Sequence, residues 1–314
     1  MKKSKIKFVL GSDPKKEGIW RYASFLAPIP EQFQLTLGEG RTGEIDFNES
    51  VSLKREDQNP TGSVKDRGMA FLVSWASSLG KKDLVLSSSG NAAISAAKYS
   101  QIAGINLYAF VSPSINPGKL KKLEELRAKV FISPRPVSEA IKFSQKNNFL
   151  NLRPSRSEYG NEGYQTISFE LAEKDKLPED IFIPVSSGVL LLGITKGFKK
   201  LGFLPRIHVC QSSAVYPIAS FFTNDFQAEE KSLAEALVAK FSPLRNQVIA
   251  AVKESKGSGW VITNQEIFAC QRILEAKGIT TSEEGALAVA AWQKAKQSNW
   301  PVGETVCLLT GRKY

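Results

Sequence analysis

The sequence predicts an α/β protein with two lobes, each built on a mainly parallel, twisted sheet flanked by helices. Short apolar runs alternate with helical stretches along most of the chain, which is typical of βαβ units. Several of these runs end in turns rich in small and hydroxyl residues. The length of 314 residues permits one large domain or two modest ones.

The first series of elements begins at a turn. Asn-Pro at 59–60 and Thr-Gly at 61–62 are turn signals, Ser63 is placed to cap a helix, and the run 69–75 is apolar. Lys65 therefore lies in the first turn of a predicted helix. The elements expected next are strands at 83–86, 105–111 and 129–132, alternating with helices at 91–103, 118–128 and 137–147.

The second half repeats the alternation. We expect strands at 181–184, 206–211 and 304–309, and helices at 163–174, 189–200, 214–222, 231–240, 244–254, 264–277 and 283–297. Residues 1–47 are interpreted as an arm that wraps onto the main body and reaches a second subunit. Ligands of such sheets bind at the carboxyl ends of the strands.

The composition narrows the class of partner. Lysine and arginine exceed aspartate and glutamate by 11, but the excess is spread along the chain. The densest run, 119–127, carries leucines at helical spacing and its own acids, so it indicates a solvated helix face. We therefore expect a small anionic substrate rather than nucleic acid.

Cysteine and histidine usage favours packing roles. Cys210, Cys270 and Cys307 are widely spaced, and His208 lies in an apolar run that predicts a buried strand. No metal site is therefore expected. The basic start at 1–7 precedes no apolar run of signal-peptide length, and no segment approaches the length of a membrane span. These features favour a cytoplasmic protein without a membrane partner.

Lys65 is the candidate catalytic residue. An amine near the positive end of a helix and partly removed from water has a lowered pKa, which helps it condense with an aldehyde. The alternative is that Lys65, Asp66 and Arg67 are a solvated helix start, since charge clusters usually face water. The turn at 186–193 follows a strand and opens a helix, which suits either phosphate binding or plain helix capping.

Several segments occur in the order found in one enzyme family. They are 54–57 (Lys-Arg-Glu-Asp), 59–68 (Asn-Pro-Thr-Gly-Ser-Val-Lys-Asp-Arg-Gly), 18–22, 37–40, 87–93, 283–286 and 309–311. Together they resemble the signatures of threonine synthases, which are fold-type II pyridoxal-phosphate (PLP) enzymes. The resemblance spans nearly the whole chain. It implies PLP as the cofactor, a homodimer, and a site in the cleft between a larger domain (1–79 and 148–314) and a smaller mobile domain (80–147).

The resemblance also implies roles for individual residues. Lys65 would carry PLP and then move protons as general base and acid. Asn91 would contact the phenolic oxygen of PLP, and Thr310 its pyridine nitrogen. The cofactor phosphate would be held by the loop formed by Ser186, Ser187, Gly188, Val189 and Leu190. The substrate would be bound by Ser88, Ser89, Arg153, Arg156 and Glu284.

The chain departs from the family where the substrate is expected to bind. The family's Asn-Ser-x-Asn-Pro-Tyr-Arg segment corresponds to 150–156, in which Arg156 is kept, Arg153 adds a cation, and Leu150 replaces the first asparagine. Ala92 stands where the family often has threonine. These changes leave two alternatives to a threonine synthase acting on O-phosphohomoserine. One is a PLP-dependent serine or threonine ammonia-lyase or β-replacement enzyme, and the other is a noncatalytic PLP-fold protein that binds an anionic metabolite or RNA.

Overall fold

A computed structural model of the chain describes residues 11–237 and 239–313. The basic start at 1–7 lies outside the described residues, as does position 238 in the predicted helix 231–240. The strands are β1 Glu44–Asn48, β2 Val51–Lys54, β3 Asp83–Ser87, β4 Asn106–Val111, β5 Lys129–Ile132, β6 Leu150–Asn151, β7 Asp180–Pro184, β8 Arg206–Ser212, β9 Gly259–Ile262 and β10 Thr305–Leu308. The α-helices are α1 Lys65–Ser78, α2 Asn91–Ile102, α3 Pro117–Glu125, α4 Pro136–Asn147, α5 Gln165–Ala172, α6 Val189–Lys200, α7 Arg245–Glu254, α8 Asn264–Ala276 and α9 Glu283–Gln297.

Two compact units divide the described chain. Unit 1 contains 41–57 and 164–313, and unit 2 contains 12–40 and 58–163. The domains expected from the sequence, 1–79 with 148–314 and 80–147, place 58–79 and 148–163 in the larger domain, and this division stays a prediction.

Unit 1 is built on a six-stranded sheet in the order β1-β2-β10-β7-β8-β9. β1 is antiparallel to β2, and every other neighbouring pair is parallel. All five residues of β7 are buried, as expected of a strand covered on both faces. Helix α9 lies in the same core, with Ala286 to Ala291 almost fully buried. The parallel arrangement brings the ends of β2, β10, β7 and β8 to one edge of this sheet.

Unit 2 contains a four-stranded parallel sheet in the order β5-β4-β3-β6. Phe110, Phe131, Phe143, Phe149 and Tyr108 form an aromatic cluster on it, with ring centroids 4.9 to 6.4 Å apart. Helix α3 begins where Asn116 accepts hydrogen bonds from the Gly118 and Lys119 N–H groups. The turn at 88–90 joins β3 to α2, so it lies at the carboxyl edge of this sheet.

The mainly parallel α/β class is confirmed, and two predicted helices are wrong. In place of a helix at 214–222 there is one 3₁₀ turn, Ala219–Phe221, and 231–240 shows no helix among its described residues. Strands β1, β2, β6 and β9 have no counterpart among the predicted elements. Residues 44–47 of the arm predicted over 1–47 belong instead to β1, the outer strand of the unit 1 sheet, and the contact of this arm with a second subunit stays a prediction.

The single histidine lies inside unit 1, in the strand predicted for it. His208 is fully buried in β8, and its Nε2 lies 3.0 Å from an Asp180 carboxylate oxygen. Its Nδ1 accepts hydrogen bonds from the Ser258 N–H (3.2 Å) and the Trp260 indole (3.1 Å). The proton is therefore on Nε2, and His208 is a neutral donor to Asp180. The three cysteines are also buried, as packing residues would be.

Among the described residues, none of the helices is both long enough and apolar enough to span a lipid bilayer.

Candidate active site

Lys65 is the first residue of α1, as the sequence predicts. The residue in the cap position is Val64, one residue later than expected, but Ser63 still serves the helix start. Its hydroxyl accepts a hydrogen bond from the Lys65 N–H at 3.2 Å, and its carbonyl accepts one from the Asp66 N–H at 3.2 Å. The backbone that carries the lysine is thus fixed at its first turn.

The charged residues that follow Lys65 do not face water. Asp66 and Arg67 are both fully buried, which contradicts the interpretation of 65–67 as a solvated helix start. Asp66 accepts hydrogen bonds from the Thr61 N–H (2.6 Å) and hydroxyl (2.5 Å). Burial raises the pKa of Asp66 to about 6, while these bonds act in the opposite direction and the negative charge of Glu39 raises it further.

The segment 36–40 is anchored beside this turn by a second buried acid. Glu39 is fully buried and accepts hydrogen bonds from the Tyr99 hydroxyl (2.6 Å) and the Ile19 N–H (3.2 Å). Gly40 donates its N–H to Asn59 Oδ1 at 2.9 Å, which ties the segment to the loop before Lys65. Burial and the charge of Glu39 raise the pKa of Tyr99, so this tyrosine stays a donor. The sequence did not assign Glu39 a structural role.

The turn after β3 and the start of α2 carry three more of the predicted site residues. The Ser88 hydroxyl accepts a hydrogen bond from Gly90 N–H at 3.2 Å, and the Ser89 hydroxyl accepts one from Ser112 N–H at 2.7 Å. Asn91 opens α2, and its side-chain oxygen is buried without a hydrogen-bond partner among the described residues. Because amide oxygen and nitrogen can be exchanged by a flip, this orphaned end of Asn91 can equally be a donor.

Arg153 and Arg156 flank a single 3₁₀ turn, Pro154–Arg156. Partial burial and the positive charge of Arg156 lower the pKa of Arg153. Within the described residues, neither guanidinium has a carboxylate within 4.0 Å. Arg156 is exposed and Arg153 is partly buried, and two neighbouring cations without an acid partner in the described chain suit an anion.

The turn at 186–190 in unit 1 joins β7 to α6. Gly188 has a φ of +93°, and a Cβ there would lie 2.3 Å from Val248 Cγ2, so only glycine fits. No side chain caps α6. In the described part of the chain, the hydroxyls of Ser186 and Ser187 have no hydrogen-bond partner either, whereas the Ser187 carbonyl accepts a bond from Ser242 at 2.6 Å. Free first-turn N–H groups with two free hydroxyls suit a phosphate.

Thr310 lies just beyond β10, the strand next to β7, so it shares a sheet edge with the 186–190 turn. Its side chain is partly exposed, and its hydroxyl has no partner among the described residues. Leu309 and Gly311 on either side are buried and are held by backbone hydrogen bonds to Asp57 and Ser282. The hydroxyl is therefore presented from a fixed backbone.

Glu284 has a different environment from the one expected. It is 8% exposed, and one carboxylate oxygen accepts a hydrogen bond from the Ala236 N–H at 2.8 Å. Two buried serines that the sequence did not single out are more conspicuous. Ser212, at the end of β8, and Ser282, just before α9, have hydroxyls with no partner among the described residues. In the sequence, these two serines are marked only by their positions, one at a predicted strand end and one at a predicted helix start.

The polar groups of these segments fit PLP. With respect to the described residues, Asn91 offers a buried, unpartnered side-chain oxygen. The 186–190 turn offers an uncapped helix start with two unpartnered hydroxyls, and Thr310 offers one. A phosphate, a phenolic oxygen and a pyridine nitrogen are the groups of PLP that need such partners. Lys65 supplies the primary amine that such an enzyme requires.

The fold and these segments define the class of a PLP-binding α/β enzyme. A sequence profile described as "Pyridoxal-phosphate dependent enzyme" matches residues 39–311. The chain belongs to this family and is therefore a PLP-dependent enzyme.

The resemblance to threonine synthases is confirmed by sequence relatives. The chain is 29% identical to a threonine synthase of Methanosarcina acetivorans over 322 aligned positions, which cover 93% of this chain and 79% of the relative. It is 30% identical to a threonine synthase of Synechocystis over 274 positions, covering 83% and 71%. A solved structure of maize serine racemase superposes with a TM-score of 0.73 at 19% identity, covering 84% and 83%, which supports the fold.

Proposed function

We propose that this enzyme is a threonine synthase that converts O-phospho-L-homoserine and water into L-threonine and phosphate. The observation that carries the proposal is the Arg153 and Arg156 pair, which has no carboxylate partner in the described chain and suits a phosphorylated substrate. The similarity to threonine synthases of Methanosarcina acetivorans and Synechocystis supports the same reaction.

The roles of the residues follow from their chemistry. When bound, PLP withdraws electrons from the substrate's α-carbon. Lys65 holds the cofactor and then moves protons at Cα and Cβ of the substrate. Asn91, the turn at 186–190 and Thr310 orient the cofactor, and the last of these offers its pyridine nitrogen a neutral hydroxyl rather than an acid. The carboxylate of the substrate is assigned to Ser88, Ser89 and the N–H groups of their turn.

The two arginines are assigned to the phosphate of the substrate. Arg153 and Arg156 bind the phosphate, which leaves from Cγ as Lys65 removes protons from Cα and Cβ. Lys65 then returns one proton to Cγ, which becomes the methyl group of threonine, and one to Cα. Water adds at Cβ as the hydroxyl group, and its other proton goes to the released phosphate. Glu284 remains our proposed substrate residue, acting through the carboxylate oxygen that Ala236 does not use. A homodimer and a cytoplasmic location stay predictions.

The test combines a spectrum with a product assay. Purified protein supplied with PLP is expected to show the visible band of lysine-bound cofactor, and Lys65→Ala to lose it. Addition of O-phospho-L-homoserine should release one phosphate per threonine formed. A band without phosphate release contradicts the threonine synthase proposal. Formation of pyruvate or 2-oxobutyrate from serine or threonine would then identify the ammonia-lyase alternative.

A further inference from the structure

Thr310 is held between two backbone segments of unit 1. Leu309, the residue before it, accepts a hydrogen bond from the Asp57 N–H at 2.9 Å. Gly311, the residue after it, accepts one from the Ser282 N–H at 2.9 Å. The position of the Thr310 hydroxyl therefore depends both on the chain that follows β2 and on the chain that leads into α9.

The side chain of Arg55 joins these two segments. Arg55 directly follows β2, and it donates from Nε to one Asp57 oxygen at 2.9 Å and from Nη2 to the other at 2.7 Å. The same Nη2 donates to the carbonyl of Thr280, in the chain before α9, at 3.3 Å. The guanidinium thus links the segment that holds Leu309 to the segment that holds Gly311.

The contact between Arg55 and Asp57 is suited to fix this junction. Asp57 is buried and Arg55 is partly buried, so water competes little with the contact. The hydrogen bond to Asp57 raises the pKa of Arg55 against the opposing effect of burial, so the arginine stays charged. Two parallel hydrogen bonds between a guanidinium and a carboxylate also set the angle between the groups, which a single bond does not.

We propose that Arg55 is a positioning residue for the cofactor, because it holds Thr310 where the threonine hydroxyl meets the pyridine nitrogen of PLP. This inference rests on the proposed assignment of Thr310 to that nitrogen. Without the guanidinium, the chain after β2 and the chain before α9 lose this link, and the hydroxyl held between them shifts away from its partner. The segment 54–57 thereby acquires a role in cofactor binding.

The test is a double-mutant cycle in which PLP affinity is measured by titration of the cofactor-free protein, followed by absorbance. Thr310→Ala is expected to weaken PLP binding about two- to tenfold, the range for one neutral hydrogen bond. Arg55→Ala should weaken it by about twofold or more, up to the factor found for Thr310→Ala. The double variant should bind PLP as Thr310→Ala does, to within about twofold, because Arg55 acts through that hydroxyl.

Two other variants accompany the cycle. Arg55→Lys keeps the charge but not the planar fork, so it should recover part of the lost affinity, and it serves in the cycle if Arg55→Ala does not fold. Arg206→Ala is the matched control, because Arg206 makes the same two-bond contact with Asp180, at 2.6 Å from both Nε and Nη2. Arg206 begins β8, at the sheet edge opposite to Thr310, so its loss should lower stability and leave PLP affinity unchanged.

A second ligand separates positioning of Thr310 from a general structural role. 1-Deaza-pyridoxal phosphate has carbon in place of the ring nitrogen, so Arg55→Ala and the wild type should bind it equally. The positioning role is overturned by unchanged PLP affinity in Arg55→Ala, by additive losses in the double variant, or by the same loss with both ligands. Thr310→Ala that binds PLP like the wild type would instead overturn the assignment of Thr310, and a wild type that does not bind PLP would overturn the cofactor site itself.

Discussion

The Asp66 carboxylate is bound at both oxygens by one residue, Thr61, whose N–H and hydroxyl lie 2.6 and 2.5 Å away. This pair closes the loop that leads into α1, with Thr61 four residues before Lys65 and Asp66 directly after it. Both residues are buried, so the contact is not weakened by competing water. The position of the proposed cofactor lysine therefore depends on a carboxylate that burial makes hard to ionise.

The raised pKa of Asp66 predicts a pH dependence of stability. Its folded-state pKa of about 6 exceeds the ordinary value of 3.8, so the folded protein binds this proton more tightly than the unfolded chain. The contribution of Asp66 to the free energy of unfolding should therefore fall as pH rises from about 4 to about 6, by at most about 3 kcal/mol, and stay constant above that. Urea unfolding at several pH values measures it.

Asp66→Asn is the reference for that measurement, because it keeps the shape of the side chain and cannot titrate. The unfolding free energy of the wild type minus that of Asp66→Asn should decrease as the pH rises from 4 to 6. A difference that is constant over this interval would show that Asp66 is ionised throughout.

Gly188→Ala tests the geometry of the proposed phosphate turn. The new methyl group would meet Val248 Cγ2 at 2.3 Å, in a backbone conformation that already disfavours side chains by about 1–2 kcal/mol. We expect a loss of more than about 2 kcal/mol in unfolding free energy together with weaker PLP binding. Denaturant unfolding and PLP titration measure the two effects.

The matched control is Gly202→Ala, because Gly202 also has a positive φ (+78°) but open space around its Cβ position. The smaller loss of unfolding free energy expected for Gly202→Ala measures the cost of the backbone conformation alone. Adding Val248→Ala to Gly188→Ala should recover part of the excess, and equal losses for both alanine variants would contradict the contact with Val248.

His208 provides a prediction with a single NMR signal, because it is the only histidine in the chain. Burial lowers its pKa below the ordinary 6.5, against the opposing effect of the Asp180 hydrogen bond. The folded protein therefore binds this proton less tightly than the unfolded chain, and the associated stability falls as pH drops below about 6.5. The ring Cε1 proton should titrate with a midpoint below 6.5. A midpoint at 6.5 would refute the buried neutral ring.

Replacing either Arg153 or Arg156 by alanine should raise KM for O-phospho-L-homoserine about ten- to a hundredfold, since each loses a charge-assisted contact to phosphate. Steady-state phosphate release measures this effect. Arg135→Ala, which removes an exposed arginine from the same unit, controls for net charge. If Arg135→Ala raised KM by the same factor, Arg153 and Arg156 would be acting only through the net positive charge of the protein.

Local signals predicted much of the chain. The alternation of apolar runs and helical stretches sufficed to predict β3, β4, β5, β7, β8 and β10. The hydrophobic period and the turn residues depend only on residues that are neighbours in the chain. The same signals placed Lys65 in a first helical turn. Helix 231–240 failed because a helical pattern of alanine and leucine does not reveal which long-range contacts compete with it. There, Asn264 and Glu284 bind the backbone at 233 and 236.

The burial of charge was decided only by tertiary structure. Asp66 and Arg67 look like a solvated helix start in sequence, and both are enclosed because 36–40, 59–61 and α2 pack around them. The same applies to Ser282, whose burial and unpartnered hydroxyl can be recognised only when the start of α9 is seen to pair with the chain after β10. The sequence by itself determined most of the elements and the family, and it placed Lys65 in the first turn of α1. Hydrogen-bond satisfaction and exposure depend on residues far apart in the chain, so only the fold could decide them.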